Sequence, residues 1–115
     1  MDNYPFIEKR SAPRFPVTIP LTYCYADSGD KFSAQTQDIG SGGMGAVTDR
    51  EVLAGDYLNV CLHMADNGEE IHRRGRVVWV NKLSQDKYRV GLEFEGKNLK
   101  PISIVLRTII SQQNY

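Results

Sequence analysis

The sequence predicts a mainly β fold, a small antiparallel β-barrel of six to seven strands followed by a C-terminal α-helix. Apolar and polar residues alternate in the segments 17–25, 57–65 and 87–95, which is the period of strands with one buried face. Turn-forming sequences separate the strands, including DSGD at 27–30 and DNG at 66–68. Because a sheet of short antiparallel strands must remove its edges, we expect it to close into a barrel.

The first of these segments contains Pro20, which suggests an edge position or a bulge because proline lacks a backbone donor. Weaker strands are predicted at 32–38 and 44–48. A long strand over 70–82 follows the DNG turn, and Gly75 in its middle predicts a bulge or a sharp bend. Short turns join all of these strands, so antiparallel pairing is expected.

The hydrophobic period changes after the last strand. Five apolar residues there fall on one helical stripe: Leu99, Ile102, Leu106, Ile109 and Ile110. Pro101 fits the first turn of a helix over about 100–112, packed on the barrel or on a partner. The expected organisation is a single domain with a flexible N-terminal arm at 1–16, the barrel at 17–97 and the helix at 98–113.

The 115 residues include 14 basic and 14 acidic side chains, so the formal charge at pH 7 is zero. This balance argues against non-specific binding of duplex nucleic acid, which needs a broad basic surface. Cys24 and Cys61 lie in strand segments and in no CxxC pair, so we expect buried free thiols, with a single disulfide as the alternative. The sequence has no signal-peptide core and no apolar run of membrane-spanning length, which predicts a soluble, cytoplasmic protein without membrane insertion.

No constellation of side chains in the sequence predicts catalysis. His63 and His72 face each other in rough register across the DNG turn, but no third residue has metal-like spacing. We therefore expect an exposed cross-strand pair of histidines and no metal site. Neither cysteine precedes a predicted helix that could activate it, and no serine lies in a nucleophile-elbow motif. An enzyme is not expected.

Two features need an explanation beyond strand formation. Arg10 and Arg14 are four residues apart in a proline-containing segment, where a basic tail that keeps the chain soluble is the simplest interpretation. The glycine-rich segment 40–45 follows Asp38, and its simplest interpretation is a tight barrel corner with positive φ angles. The alternative for both is ligand binding, with arginines that hold one or two phosphates and a loop whose backbone lies close to the ligand.

Together, these two segments resemble the motifs of a known family, the PilZ domain. RSAPR at 10–14 fits the RxxxR motif of that family in full. DIGSGG at 38–43 is similar to its (D/N)xSxxG motif and matches it at Asp38 and Gly43. Gly40 occupies the serine position of the motif, and this is the one departure.

The resemblance extends to GRVVWV at 75–80 and YRVGLEF at 88–94, which are similar to later core strands of the family. It therefore covers roughly residues 9–110. A PilZ-like barrel of the split-barrel or Greek-key type is implied, and so is a role as a receptor for the bacterial second messenger cyclic di-GMP. No cofactor is expected besides this ligand.

The resemblance also implies which residues bind the ligand. Arginine forks pair with phosphate or with guanine O6 and N7, and a carboxylate at Asp38 can accept hydrogen bonds from guanine N1–H and N2–H. The expected ligand-binding residues are Arg10, Arg14, Asp38, Gly40, Ser41 and Gly43. The weaker candidates are Lys9, Gly42 and Trp79.

Two of these positions have competing interpretations. Gly40 removes a serine hydroxyl hydrogen bond worth about 0.5–1.5 kcal/mol, so we expect binding weakened by up to about tenfold and not abolished. Ser41 or the Gly40 backbone N–H could partly replace the missing hydroxyl. Trp79 either belongs to the core or stacks on a guanine base, as an aromatic residue near this position does in some PilZ domains.

The sequence thus predicts a cyclic di-GMP receptor that orders its N-terminal arm on binding and signals to a protein partner in motility, biofilm or virulence control. One alternative is an adaptor of the same fold that binds no nucleotide and acts through protein–protein contacts. A lower-ranked alternative is a barrel that binds single-stranded nucleic acid, which the neutral charge and the inward-facing aromatic residues do not favour. Binding of one ligand or of a stacked pair is open.

Overall fold

The computed structural model describes residues 14–40, 42–96 and 108. They contain seven β-strands: β1 (Arg14–Pro16), β2 (Pro20–Tyr25), β3 (Phe32–Gly40), β4 (Gly43–Thr48), β5 (Tyr57–His63), β6 (Glu70–Ser84) and β7 (Lys87–Phe94). Every pairing between them is antiparallel. The expected mainly β chain is confirmed for these residues.

Six of the strands close into a barrel. The order of neighbours is β3–β2–β5–β6–β7–β4, and β4 returns to pair with β3. The seventh strand, β1, is an addition that pairs with the end of β3. Closure removes the free edges of the six-stranded sheet, as the pattern of short alternating strands predicted.

The apolar side chains at alternate positions of the strands fill the barrel interior. Alternation in the first segment predicts one inward face of Val17, Ile19, Leu21, Tyr23 and Tyr25. The first four of these residues are buried, and Tyr25 is half-buried against the core. Burial raises the pKa of the Tyr23 phenol, whose oxygen lies 2.8 Å from the Thr48 hydroxyl. The buried tyrosine therefore keeps a hydrogen-bond partner within the core.

The first predicted strand is divided in the structure. Residues 17–19 connect β1 to β2, and β2 begins at Pro20. The expected edge or bulge at Pro20 is wrong, because β2 lies between β3 and β5. Proline is tolerated there because it is the first residue of the strand, and pairing with β5 begins only at Leu21.

The two terminal segments are described only in part. Residues 14–16 of the expected arm form β1, in which Arg14 pairs with Gly40. Residues 1–13 lie outside the described residues. The helix expected at 98–113 also lies outside them, apart from Thr108, which has helical backbone geometry. The limits of the arm and the helix stay predictions.

The β5–β6 hairpin has a register that the sequence did not predict. His63 is paired with Glu70, and His72 is paired with Cys61, so the two histidines are diagonal neighbours and not direct partners. Cys61 and Cys24 are free, as expected, but they are half-buried on the outer surface. The expectation of buried thiols is wrong because the inward positions of these strands are taken by their apolar neighbours.

Thr36 is a polar residue inside the barrel wall that ties the β1–β2 connection to β3. Its side chain is 1% exposed, its hydroxyl donates to the Val17 carbonyl at 2.6 Å, and it accepts from the Ile19 N–H at 2.9 Å. One hydroxyl thus satisfies two backbone groups in residues 17–19, which do not belong to a β-strand.

We predict that Thr36→Val lowers the free energy of unfolding by about 2 to 4 kcal/mol, because an isosteric methyl leaves two buried backbone groups without this partner. Urea unfolding measures the change. The matched control is Thr18→Val, the same substitution at an exposed position, which should change the free energy by less than about 0.5 kcal/mol. Equal stability of the two variants would contradict this role of Thr36.

Candidate functional site

A β-bulge in β3 places Asp38 on the outside of the barrel. Thr36 is paired with Ala46 and Asp38 with Gly45, so Gln37 is an extra residue opposite β4. Side chains alternate along a strand, so Asp38 would otherwise follow Thr36 into the core. The extra residue reverses the alternation, and the Gln37 carbonyl accepts a hydrogen bond from the Val17 N–H at 3.1 Å.

A second bulge has the same effect on Trp79 in β6. Val77 is fully buried and paired with Leu92, whereas Trp79 is paired with Gly91, so Val78 is the extra residue. Trp79 is consequently 38% exposed and does not belong to the core. The bulge that the sequence placed at Gly75 is therefore displaced to Val78. Gly75 itself is packed against the next strand, where a Cβ would lie 3.1 Å from the Glu93 carbonyl oxygen.

The two bulges bring Asp38 and Trp79 into one row across four strands. Asp38 is paired with Gly45, Gly45 with Gly91, and Gly91 with Trp79. Directly paired residues in a sheet point to the same face, so this row lies on the outer surface. The two middle positions have no side chains. A flat floor of backbone therefore separates a carboxylate from an indole ring.

The glycines are required because the neighbouring side chains lie directly on them. The Gly45 N–H donates to Asp38 Oδ1 at 2.9 Å, and a Cβ at Gly45 would lie 3.2 Å from both carboxylate oxygens. A Cβ at Gly91 would overlap the Trp79 indole. Gly43 continues the floor, because its Cβ would overlap the Leu92 carbonyl oxygen.

Close approach, and not positive φ, explains the glycines that the structure places on this floor. The glycines with positive φ among the described residues are Gly55, Gly68 and Gly96, all in other parts of the barrel. The expectation of a corner built from positive φ angles is thus wrong for Gly43 and Gly45.

Arg14 lies at one end of the floor. β1 pairs it with Gly40, and its Nη1 forms an ion pair with Asp38 Oδ1 at 3.5 Å. The Arg14 side chain is only 10% exposed, and its Nη2 lies 3.0 Å from the position that a Cβ on Gly43 would take. Arg14, Asp38 and Gly43, three of the residues predicted from the sequence motifs, are therefore in one place.

Two further arginines lie beside the floor and were not predicted. Arg76 pairs with Glu93 at 3.4 Å on the strands next to Gly43. The Arg89 guanidinium carbon lies 5.8 Å from the Trp79 ring centroid. The Arg76–Glu93 pair is exposed, so solvent screening keeps it weak and available for exchange with a ligand phosphate. The outward position of Arg89 follows from the alternation along β7, but its place beside Trp79 depends on the bulge in β6.

The remaining predicted residues are placed as follows. Gly40 is buried at the end of β3 beside Arg14. Gly42 lies in the connection to β4, where its carbonyl accepts from the Phe94 N–H at 2.8 Å. Lys9, Arg10 and Ser41 lie outside the described residues, so their contributions stay predictions.

The chain belongs to the PilZ domain family, because the model of that family matches residues 8–111. The resemblance inferred from the motifs and the later strands is thereby confirmed. The family is one of receptor and effector domains, and several solved members contain c-di-GMP. A comparison with curated proteins found no match.

Several solved structures share the fold. The PilZ domain of YcgR from Escherichia coli with c-di-GMP is 16% identical, with a TM-score of 0.67 over 92% of this chain and 92% of that chain. The K. pneumonia MrkH–c-di-GMP complex is 22% identical, with a TM-score of 0.68 over 93% of this chain and 55% of that chain. The Bacillus subtilis inhibitor of motility MotI/DgrA is 16% identical, with a TM-score of 0.67 over 94% and 53%.

The chain therefore spans about half the length of the MrkH and MotI chains that it matches. At these identities the likeness establishes the shared fold. Among the residues that the structure describes, no helix has the length and apolar character of a membrane span.

The close packing of Trp79 on Gly91 leads to a direct prediction. Gly91→Ala should leave the barrel folded and displace the indole, because the added methyl would occupy the ring position. Trp79 is the single tryptophan, so its fluorescence emission should shift to longer wavelength as the ring becomes more exposed.

The matched control is Gly29→Ala, where nothing lies within 4 Å of the added Cβ, and its emission should be that of the unaltered protein. Unchanged emission from a folded Gly91→Ala variant would rule out the described position of the indole.

Proposed function

We propose that this chain is a cyclic di-GMP receptor and that the nucleotide binds on the outer face of β3, β4, β7 and β6. The observation that carries the proposal is the row Asp38–Gly45–Gly91–Trp79, with Arg14 at its end. In this row Asp38 is an acceptor for guanine, Trp79 is a stacking surface and Arg14 is a cation. The two glycines between Asp38 and Trp79 add no side chains. Membership of a family with c-di-GMP-bound members supports the same ligand.

Arg14 is proposed to bind a phosphate or the O6/N7 edge of a guanine. Its planar fork makes two parallel hydrogen bonds to either group, which a lysine cannot. The Arg14 Nη1 lies 3.5 Å from Asp38 Oδ1, so the guanidinium and the carboxylate are close enough to contact the same ligand. Arg10 would supply the second fork, as the RxxxR spacing suggests.

Asp38 is proposed to select guanine. Its contacts with Gly45 and Arg14 fall on Oδ1 within the described residues, and a carboxylate has acceptor sites to spare on both oxygens. Guanine presents N1–H and N2–H side by side, and adenine has no such pair of donors. The side chain is 23% exposed, so a base edge can reach it from solvent.

Trp79 is proposed to stack on a base. The main chains of Asp38 and Trp79 are three strand spacings apart, about 14 Å, and both side chains lean over the glycines between them. The carboxylate lies over Gly45 and the indole over Gly91, so the two groups are neighbours on adjacent strands. A guanine that approaches the Asp38 carboxylate from solvent would thus lie beside the indole, and stacking on an aromatic ring contributes about 1–3 kcal/mol per base.

The phosphates are proposed to lie near Arg76 and Arg89, which border the same floor. Both guanidinium groups are on the outer face, and the chain as a whole is neutral. This small group of arginines is sufficient for a dinucleotide with two phosphates, whereas a nucleic-acid strand would need a broad basic surface. Gly40 in the serine position removes one hydroxyl donor, so modestly weakened binding is expected. Ser41 and Gly42 remain candidates for backbone or hydroxyl contacts.

The output of binding is proposed to be a change in the surface that the N-terminal arm presents to a protein partner. Because Arg14 already belongs to β1, the segment that would become ordered ends before Arg14, not at residue 16. Such a disorder-to-order change is a common switch. MotI, an inhibitor of motility, and the c-di-GMP complexes of YcgR and MrkH support a regulatory role, for which motility is the best candidate. Biofilm or virulence control, a cytoplasmic location and the absence of catalysis stay part of the proposal.

Arg14→Ala should weaken cyclic di-GMP binding about 10- to 100-fold, because charge-assisted hydrogen bonds contribute about 1.5–3 kcal/mol. Isothermal titration calorimetry measures the dissociation constant. The matched control is Arg50→Ala, since Arg50 stacks on Phe32 at 4.4 Å away from the floor and should leave the affinity unchanged.

If the unaltered protein gives no binding heat at tens of micromolar, the adaptor alternative replaces the receptor proposal. If both arginine variants bind equally well, Arg14 does not contact the ligand.

Asp38→Asn should reduce selectivity for cyclic di-GMP over cyclic di-AMP, because an amide offers one acceptor oxygen where the carboxylate offers two. The expected loss in cyclic di-GMP affinity is at least about tenfold, with little change in the weak binding of cyclic di-AMP. Competition titrations with both dinucleotides measure the ratio. A selectivity ratio equal to that of the unaltered protein would show that another group recognises guanine.

A further inference from the structure

The β5–β6 hairpin carries a cluster of metal-ligand side chains near its turn, away from the residues of the nucleotide site. Cys61 is paired with His72 and His63 with Glu70, and positions two apart on a strand share a face. The four side chains therefore form two adjacent cross-strand pairs on the outer surface. None of them belongs to the nucleotide site described above.

The donor atoms of this cluster converge. His72 Nε2 lies 3.9 Å from Cys61 Sγ and 3.9 Å from Glu70 Oε1. Glu70 Oε2 lies 3.7 Å from His63 Nδ1. Ligand atoms of Cys61, His63 and Glu70 all lie within 4.8 Å of one another. Tetrahedral zinc with bonds of about 2.0–2.3 Å needs its ligand atoms about 3.3–3.6 Å apart, so the four side chains would have to move closer together to bind the ion.

We propose that Cys61, His63, Glu70 and His72 bind a divalent transition-metal ion, with zinc as the best match. One sulfur, two imidazole nitrogens and one carboxylate oxygen are the ligand types of tetrahedral zinc sites. A thiolate with imidazoles is a poor set for magnesium or calcium, which require oxygen ligands. Two ligands come from each strand, so the ion would link β5 to β6.

A neighbouring strand orients one of the ligands. His63 Nε2 lies 3.2 Å from the Thr22 hydroxyl oxygen, and Thr22 in β2 is paired with Cys61. This contact uses Nε2 and leaves Nδ1 directed at Glu70. A metal-binding histidine typically has its second ring nitrogen held by such a hydrogen bond, so Thr22 acts as a positioning residue.

The surroundings permit a cation to enter. Lys31, Arg73 and Arg74 border the same depression, and the guanidinium groups of the two arginines have other partners. Arg73 stacks on Phe94 at 4.4 Å, and Arg74 pairs with Glu95 at 3.3 Å. His72 and Glu70 are exposed, whereas Cys61 and His63 are half-buried. An ion can thus arrive from solvent and reach the half-buried Cys61 sulfur.

The purified full chain is titrated with Co²⁺ under reducing conditions, followed by Zn²⁺. We expect one Co²⁺ per chain, a thiolate-to-cobalt charge-transfer absorption band and displacement of cobalt by zinc. Cys61→Ser should abolish the band. The matched control is Cys24→Ser, the same change at the other half-buried cysteine of this depression, which should retain it.

A second variant, Glu70→Gln, separates loss of metal binding from loss of folding. Glu70→Gln changes an exposed side chain, so the barrel should stay intact while Zn²⁺ affinity falls at least about tenfold. The proposal is overturned if the unaltered chain shows no stoichiometric cobalt band, if the band survives Cys61→Ser, or if it follows Cys24 instead. Unchanged zinc affinity in Glu70→Gln would overturn the assignment of Glu70. Cyclic di-GMP is absent from this titration, so its outcome is independent of the receptor proposal.

Discussion

The two β-bulges are the constraint on which the candidate nucleotide site depends. Without the extra residue Gln37, Asp38 would point into the apolar core, and without Val78 so would Trp79. A bare carboxylate in that core would be unstable, because burying a charge without a partner costs several kcal/mol. Each bulge keeps one side chain out of the core. The same reversal of alternation exposes that side chain, Asp38 or Trp79, to solvent. The barrel architecture and the site therefore have a common origin.

The glycines make room for the side chains that the bulges turn outward. A sheet normally presents a side chain at every outward position, and such a surface has no room for a flat ligand. Gly45 and Gly91 leave two adjacent outward positions empty, and the carboxylate and the indole occupy the space above them. The floor thus allows polar and aromatic groups to lie parallel to the sheet. This geometry favours planar, hydrogen-bonding ligands such as nucleobases, and close approach explains two of the four glycines in the segment 40–45, Gly43 and Gly45.

Much of this arrangement could be predicted from the sequence, and the failures have a shared cause. Alternation in the first segment correctly identified Val17, Ile19, Leu21 and Tyr23 as core, and the two motifs correctly identified the family. The orientation of Trp79 was not predictable, because VVWV contains four apolar residues in a row and a bulge leaves no signal in such a run. The register of the β5–β6 hairpin had the same difficulty. The predicted register pairs His63 with His72. The observed register is shifted by two residues, so that His63 pairs with Glu70 and Cys61 with His72.

The central claim is that a guanine-containing dinucleotide lies over the row Asp38–Gly45–Gly91–Trp79, against the Asp38 carboxylate and the Trp79 indole. A two-dimensional NMR titration of the ¹⁵N-labelled chain with cyclic di-GMP tests this claim most directly, because it reports on individual N–H groups. We expect the backbone amides of Gly45 and Gly91 and the Trp79 indole N–H to shift together and to saturate at one ligand concentration. Shifts confined to the β5–β6 hairpin, or no shifts in excess nucleotide, would contradict the account.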